Sequence, residues 1–339
     1  MSRNLSITGA GAVTPAGWGV EAMLAALATG EPIPPTLLER QLGEKNIITP
    51  VLRVPDLGAT TPKAARLRRT SPISKFAAAA ALEALGESRL ALIPNGLRVG
   101  VIFTLANGCV NYSNRFFREV LADPSLASPI LFPETVFNAP SSHLSAMIGS
   151  TSPNDSLIGD ASGFLTGIDL AAEWLARGDV DGCLVVASEE IDWLSAEALR
   201  LYSRAFLPSE GAGAIYLEAS DGLAMIHHLP DPFPYNAMDR ETAALECRKA
   251  LDVSDDGETL LIDSRSGIQR YDFPETKAWR DWTGPRWSPK SVLGESMGAA
   301  AALQVVAAVA ALQSGSFKQV VVSSVGANQQ AAGIVLVGK

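Results

Sequence analysis

The chain has three histidines and three cysteines in 339 residues, and this scarcity narrows the chemistry open to it. Cys109, Cys183 and Cys247 stand apart, without CxxC spacing. They suggest neither a disulfide framework nor a zinc site, and a reducing, cytoplasmic setting fits them best. Positive charge is also short: 27 Lys and Arg against 36 Asp and Glu leave a net charge of −9. Non-specific nucleic-acid binding, a task of basic surfaces, is excluded. No long apolar run is present. The start, MSRNLSITGAG, lacks the apolar core of a signal peptide. The longest apolar stretch, residues 297–312, is interrupted by Gln304 and falls short of the ~20 residues of a membrane span, so a buried helix is expected there. No metal site or cofactor motif emerges. In GAGAVT, residues 9–14, Thr14 stands where the third glycine of a dinucleotide fingerprint belongs, and a strand-to-loop turn is the better reading.

What is present is an apolar, Ala- and Gly-rich interior: 47% hydrophobic residues and 19% charged, with a mean hydropathy of +0.17. A surplus of apolar surface often marks a large subunit interface. The length allows one large unit or two ordinary domains.

Along the chain, residues 5–8 read as a strand, followed by a turn region at Gly9, Gly11, Pro15 and Gly17, and residues 20–28 as a helix. The Pro-rich, polar stretch 31–72 reads as an irregular excursion. Residues 74–86 form an Ala-rich helix and 98–104 a strand. Residues 163–178 are helical, with Leu165, Ile168, Ala172 and Leu175 on one face and Gly178 as the stop, and the strand 183–188 follows. The same grammar returns in helix 298–315 and strand 319–323, at an offset of ~137 residues. Both helices are apolar almost all round and should be buried between layers. Two helix–strand units of this kind imply two stacked, similar halves, 1–218 and 219–339, in the α/β class with mostly parallel sheets.

Six segments, in order, resemble the β-ketoacyl synthases: ITGAGAVTPAGWGVEAMLAALATGE (7–31), RRTSPISKFAAAAALEAL (68–85), SPILFPETVFNAPSSHLSAMIG (128–149), LAAEWLARGDVDGCLVVASEE (170–190), SEGAGAIYLE (209–218) and KSVLGESMGAAAAL (290–303). The resemblance implies the thiolase fold, a duplicated five-layered αβαβα architecture. It also implies a cytoplasmic dimer without metal or cofactor that handles acyl groups on an acyl carrier protein.

Decarboxylative condensation needs a thiolate at a helix N-terminus, where the dipole lowers its pKa. It also needs backbone amides for the oxyanion and two imidazoles. The resemblance puts Ala161 at the cysteine position, with Leu165 and Ile168 as its anchors. It puts Ser264, in the run Ile262-Asp263-Ser264-Arg265-Ser266-Gly267, at the first histidine and Glu295 at the second. A methyl group carries no acyl chain. A carboxylate ~4 Å from an enolate repels it by about 4 kcal/mol at an effective dielectric of ~20, unless burial protonates it. Lys290 matches the family lysine, and its bland reading is an ion pair with Glu295. Ser162 is either a helix cap or, if the turn differs by one residue, an alternative nucleophile in need of a base. His143 reads as structural, near the dimer interface, and His227 and His228 as solvated loop residues. The family's Phe gate is reduced to Gly326, Ala327 and Asn328, with Gly326 keeping the turn. Loops near 201–209 and 314–320 are shorter than in the family. Lys63, Arg66, Arg68 and Arg69 form a basic cluster, which is either a docking patch for an acidic carrier protein or a solvated loop.

Three functions follow from these expectations. The first is a degenerate subunit, like a chain-length factor, that pairs with an active ketosynthase and shapes its acyl tunnel in fatty acid, polyketide or polyene biosynthesis. The second is a homodimeric acyltransferase, thioesterase or decarboxylase using Ser162. The third is a homodimeric protein that holds an acyl chain or carrier protein without reacting.

Overall fold

The computed structural model describes residues 5–56 and 62–338. The first half contains strands β1 (Ser6–Thr14), β2 (Gly17–Trp18), β3 (Thr36–Leu42), β4 (Lys45–Val51), β5 (Val99–Leu105), β6 (Asn154–Ile158), β7 (Gly182–Glu189) and β8 (Gly211–Glu218). Its helices are α1 (Val20–Thr29), α2 (Pro72–Leu92), α3 (Val110–Ala122), α4 (Ala139–Ile148), α5 (Gly163–Arg177) and α6 (Trp193–Tyr202). The second half adds β9 (Ala224–His228), β10 (Phe233–Pro234), β11 (Thr259–Ile262), β12 (Arg286–Trp287), β13 (Gln319–Val325) and β14 (Gln330–Val337). Its helices are α7 (Arg240–Ala250), α8 (Gln269–Ala278), α9 (Pro289–Leu293) and α10 (Ala300–Gln313).

Strand order β12-β11-β13-β14-β9-β1-β8-β7-β5-β6 resolves into two five-stranded sheets, joined where β1 meets β9 over two residue pairs. Helices α5 and α10 pack between them: α10 touches β1, β8 and β13, and α5 touches β5, β7 and β14. Helix α2 covers the outer face of the first sheet and α7 that of the second. The five-layered, duplicated thiolase fold is thus observed. The repeat is exact enough to read from element starts. Gly163 and Gly182 begin α5 and β7, Ala300 and Gln319 begin α10 and β13, and both pairs are ~137 residues apart.

Local physics accounts for the departures from expectation. The strand predicted to stop at Thr8 runs on to Thr14. Gly9 and Gly11 are not turn residues: a Cβ on either would lie 1.8 or 2.0 Å from the carbonyl oxygens of Ala84 and Ala80. They let α2 lie directly on the strand backbone. Stretch 31–72 is not irregular throughout, because β3 and β4 pair as an antiparallel hairpin. Its alternation is weak in sequence because neither face is fully buried. The sheets are mixed rather than mostly parallel: β6-β5-β7 and β12-β11-β13 are parallel, whereas β8, β1, β14 and β9 pair antiparallel. A connection as short as residues 326–329 can only join antiparallel neighbours. Helix α10 is buried nearly all round, as expected. Helix α5 is not: Thr166, Asp169 and Glu173 face solvent, and Ala171 rather than Ala172 completes the buried stripe.

Candidate functional site

Helix α5 and the segment leading into α10 bring their N-terminal ends to one cavity of about 220 Å³. Ala161, just ahead of α5, lines it together with Lys290, Glu295, Met297, Ala327 and Asn328. Asp160, Asn107, Tyr202 and Tyr271 complete the polar part of the wall. Most of the positions that sequence comparison marks as reactive therefore meet in one place. A larger open cleft of about 460 Å³, lined by Arg265, Asp272 and Ser288, contains none of them.

Lys290 and Glu295 form a buried ion pair, with Nζ 2.7 Å from Oε2. The other oxygen, Oε1, accepts the Met297 N–H at 3.0 Å. Both carboxylate oxygens are occupied and the lysine charge is neutralised in place, so the bland reading of Lys290 holds. Removing one member of such a pair leaves the other charge buried, at a typical cost of ~3–5 kcal/mol. The backbone is strained beside it, since Met297 has φ +45°. Three residues earlier the turn depends on Gly294 at φ +77°, where a Cβ would also approach the Leu207 carbonyl to 2.8 Å.

Ser264 is not brought into the cavity. Its hydroxyl donates to Glu275 Oε2 at 2.7 Å and accepts the Val325 N–H at 3.0 Å. Glu275 also receives the Ser323 hydroxyl at 2.5 Å. A serine here is a tie between strand ends, facing a buried carboxyl whose pKa is raised by burial and by the neighbouring Asp263 carboxylate.

Ser162 stands at the N-cap position of α5, yet its side chain makes no capping hydrogen bond. It is fully buried and does not line the cavity. Its Oγ donates to Asp160 Oδ1 at 2.7 Å, a contact with a carboxylate in place of a capping bond. The histidines are elsewhere. His143 pairs with Glu134 at 2.8 Å. His227 and His228 lie in strand β9 rather than in a loop, and His228 Nε2 meets the Ala250 carbonyl at 2.9 Å.

Asp160, which sequence reasoning passed over, organises the site. Besides Ser162 it accepts the N–H groups of Gln329 at 3.0 Å and Asn328 at 3.5 Å. Gln329 Oε1 in turn accepts the Asp160 N–H at 2.9 Å. From the other side, Tyr235 and Arg240 donate to the Gly326 carbonyl at 3.0 and 2.9 Å. The gate segment is thus fastened on both faces. Gly326 serves close approach, because a Cβ would lie 2.0 Å from Asp160 Oδ2. Its φ is not among the positive ones, so the expected turn role gives way. The one signal in the sequence was the carboxylate itself, placed just before a helix.

Behind the cavity, Glu189 is buried and accepts the N–H groups of Ala106, Asn107 (3.3 Å) and Gly298. Burial pushes its pKa up to about 8. Among the described residues no cluster of His, Cys, Asp and Glu could hold a metal ion, and no helix is long and apolar enough to cross a membrane.

Two stacked sheets around buried helices, with a small cavity at the helix N-termini, define the thiolase fold. Residues 55–197 match the family described as "Beta-ketoacyl synthase, N-terminal domain". The ishigamide ketosynthase/chain length factor superposes with TM-score 0.83 at 20% identity, covering 99% of this chain and 100% of that one. A ketosynthase (ApeO) in complex with its chain length factor (ApeC) from Xenorhabdus doucetiae gives TM-score 0.80 at 13% identity, covering 99% and 98%. A type II polyketide acyl-carrier protein in complex with its ketosynthase (AntDE:AntF) gives 0.78 at 17% identity, covering all of both chains. No protein of curated function matches the chain. The chain thus shares the fold of the ketosynthase and chain-length-factor structures.

Two outcomes follow from this geometry. Burial raises the pKa of all three native thiols, that of Cys247 to about 12, so iodoacetamide should leave the folded protein unlabelled. Ala161→Cys should gain one label at the helix N-terminus and still show no condensation with acyl and malonyl donors. Labelling no faster than that of the parent would place residue 161 away from the cavity. The second outcome concerns pH. Glu189 binds its proton more tightly in the folded chain than in the unfolded one. Its contribution to stability is therefore fully present below the unfolded pKa of ~4.3 and is lost as pH rises through about 8. Urea melts should give a lower unfolding free energy at about pH 8.5 than at about pH 5.5, by the order of a few kcal/mol. Glu189→Gln should flatten that slope, and coincident slopes would contradict the raised pKa.

Proposed function

We propose that the chain is a non-condensing ketosynthase-like subunit that pairs with an active ketosynthase and helps shape its acyl tunnel, in the manner of a chain-length factor, in polyketide or fatty acid biosynthesis. The observation that carries this reading is the state of the cavity. A methyl group at residue 161 offers no nucleophile, Ser264 is turned away, and Glu295 is held by Lys290. With about 220 Å³, this cavity is smaller than the ~300–1,000 Å³ usual for ligand pockets. An acyl chain of several ketide units needs space supplied by a partner.

A partner surface supports the reading. Among the described residues strand β6 ends the sheet and pairs only with β5, leaving a row of backbone groups unpaired there, the feature that recruits another strand. Ile158 at its end is 56% exposed. Phe137, close to the same edge, and Phe132 and Ile130 add exposed apolar area. Exposed apolar residues of this size beside an open edge fit a protein–protein interface. The relatives solved with a chain length factor or a carrier protein point to the same kind of assembly.

The basic cluster supports a second contact. Arg66, Arg68 and Arg69 lie on or beside a short 3₁₀ turn and are exposed, and a cleft of about 340 Å³ between Lys63, Arg68 and Lys75 contains no carboxylate. None of these five cations has an ion-pair partner among the described residues. On an acidic protein they form a patch complementary to an acidic acyl carrier protein.

Co-expression with a cysteine-containing ketosynthase should give a stable heterodimer on size-exclusion chromatography with light scattering. Ile158→Lys should weaken that association at least tenfold (~1.4 kcal/mol). A monodisperse homodimer that ignores the ketosynthase, or an unaffected Ile158→Lys, would count against this reading. Reversing Lys63, Arg66, Arg68 and Arg69 to glutamate should weaken carrier-protein binding and remove its salt dependence. Unchanged binding across a salt titration would dispose of the docking patch.

A further inference from the structure

Helices α7 and α8 pack together on the outside of the second sheet and bring their C-terminal ends to a cleft of about 430 Å³. It shares no residue with the cavity at Ala161. Four cations line it, Arg248, Lys249, Lys277 and Arg280, against one carboxylate, Asp281. Lys249 and Lys277 are engaged by Glu246 (2.6 Å) and by Glu241, neither of which lines the cleft. Arg248 and Arg280 have no hydrogen-bond or ion-pair partner among the described residues.

Arg248 is the informative group. Its guanidinium lies 4.3 Å over the ring of Trp279. That ring is itself immobilised, being buried, stacked edge-on against Trp282 at 5.6 Å, and bonded through Nε1 to Ser323 Oγ at 3.1 Å. The guanidinium therefore rests on an immobilised ring, while its Nε–H is buried and unpartnered. A helix C-terminus favours nearby cations through its dipole. A cation serving only that purpose would donate to the last-turn carbonyls, and Arg248 donates to none. A planar fork of unused donors, preorganised at small entropic cost, is a receptor for an oxyanion.

We propose that this cleft binds a phosphoryl group, with Arg248 as its floor and Arg280 as the second donor. The cations come from both helices and, in Arg280, from the turn that follows α8. A tetrahedral dianion can accept from all of them at once, whereas a planar carboxylate is used up by one fork. Asp281 offsets part of the positive charge, and the positive potential that remains attracts a dianion more than a monoanion.

The test is calorimetric titration of the full chain with inorganic phosphate at constant ionic strength, with acetate as comparison. Phosphate should saturate a single site, and acetate should bind at least about tenfold more weakly. Arg248→Gln and Arg280→Ala should each weaken phosphate binding by about tenfold or more, the usual loss for one charge-assisted contact. Arg68→Ala, in the other basic cluster, should leave it unchanged. Arg280 is exposed, so its variant retains the fold and carries the test if Arg248→Gln does not. Absence of saturable phosphate binding, equal responses to phosphate and acetate, or a response that follows Arg68 instead would overturn the proposal.

Discussion

The structure rests on one constraint: helix α10 is apolar on every side and α5 on most of its circumference, so both must be covered from above and below. A single sheet covers only one face of a helix. Two sheets, one from each half of the chain, are the arrangement that removes both helices from water. The stacking of the halves, the outer layers on each sheet and the meeting of the two helix starts at one cavity all follow from that requirement. At ~25 cal/mol per Å² of apolar area, burial of helices this apolar outweighs any single polar contact in the molecule.

The cavity formed by that stacking is held by paired charges rather than left open for chemistry. Asp160 gathers the turn before α5 and the 326–329 segment, and Lys290 and Glu295 satisfy each other where the second half closes over it. The Lys290–Glu295 pair is buried, and buried charges are tolerable only when partnered. Such partnering leaves few free donors or acceptors for a reacting group. Asp160 ties the two halves together and the Lys290–Glu295 pair is closed within the second, and this is the physical basis for reading the chain as a supporting subunit.

Much of the architecture was legible in the residues. The repeated helix–strand grammar, the glycines ending both central helices and the buried character of α10 are local patterns with a fixed period, so they survive in one dimension. The convergence of Ala161, Lys290, Glu295 and the 326–329 segment was legible through family resemblance. Other features were hidden for definite reasons. A glycine required by a crossing helix, as at Gly9, Gly11 and Gly326, looks the same in sequence as one required by a turn. The direction of a serine hydroxyl depends on partners far along the chain: Ser264 faces Glu275 and Val325, and Ser162 faces a carboxylate already engaged by the gate segment.

By itself the amino-acid order determined that this is a two-fold α/β chain with buried central helices. Periodicity and side-chain identity are properties of the residues alone. Only the tertiary structure decided which polar groups are spent on one another, which strand edge stays open, and that the Arg248 guanidinium lies on Trp279 without a hydrogen-bond partner. Those outcomes depend on distances between residues remote in sequence, and hydrogen bonds and ion pairs act over a few ångströms of space whatever the separation along the chain.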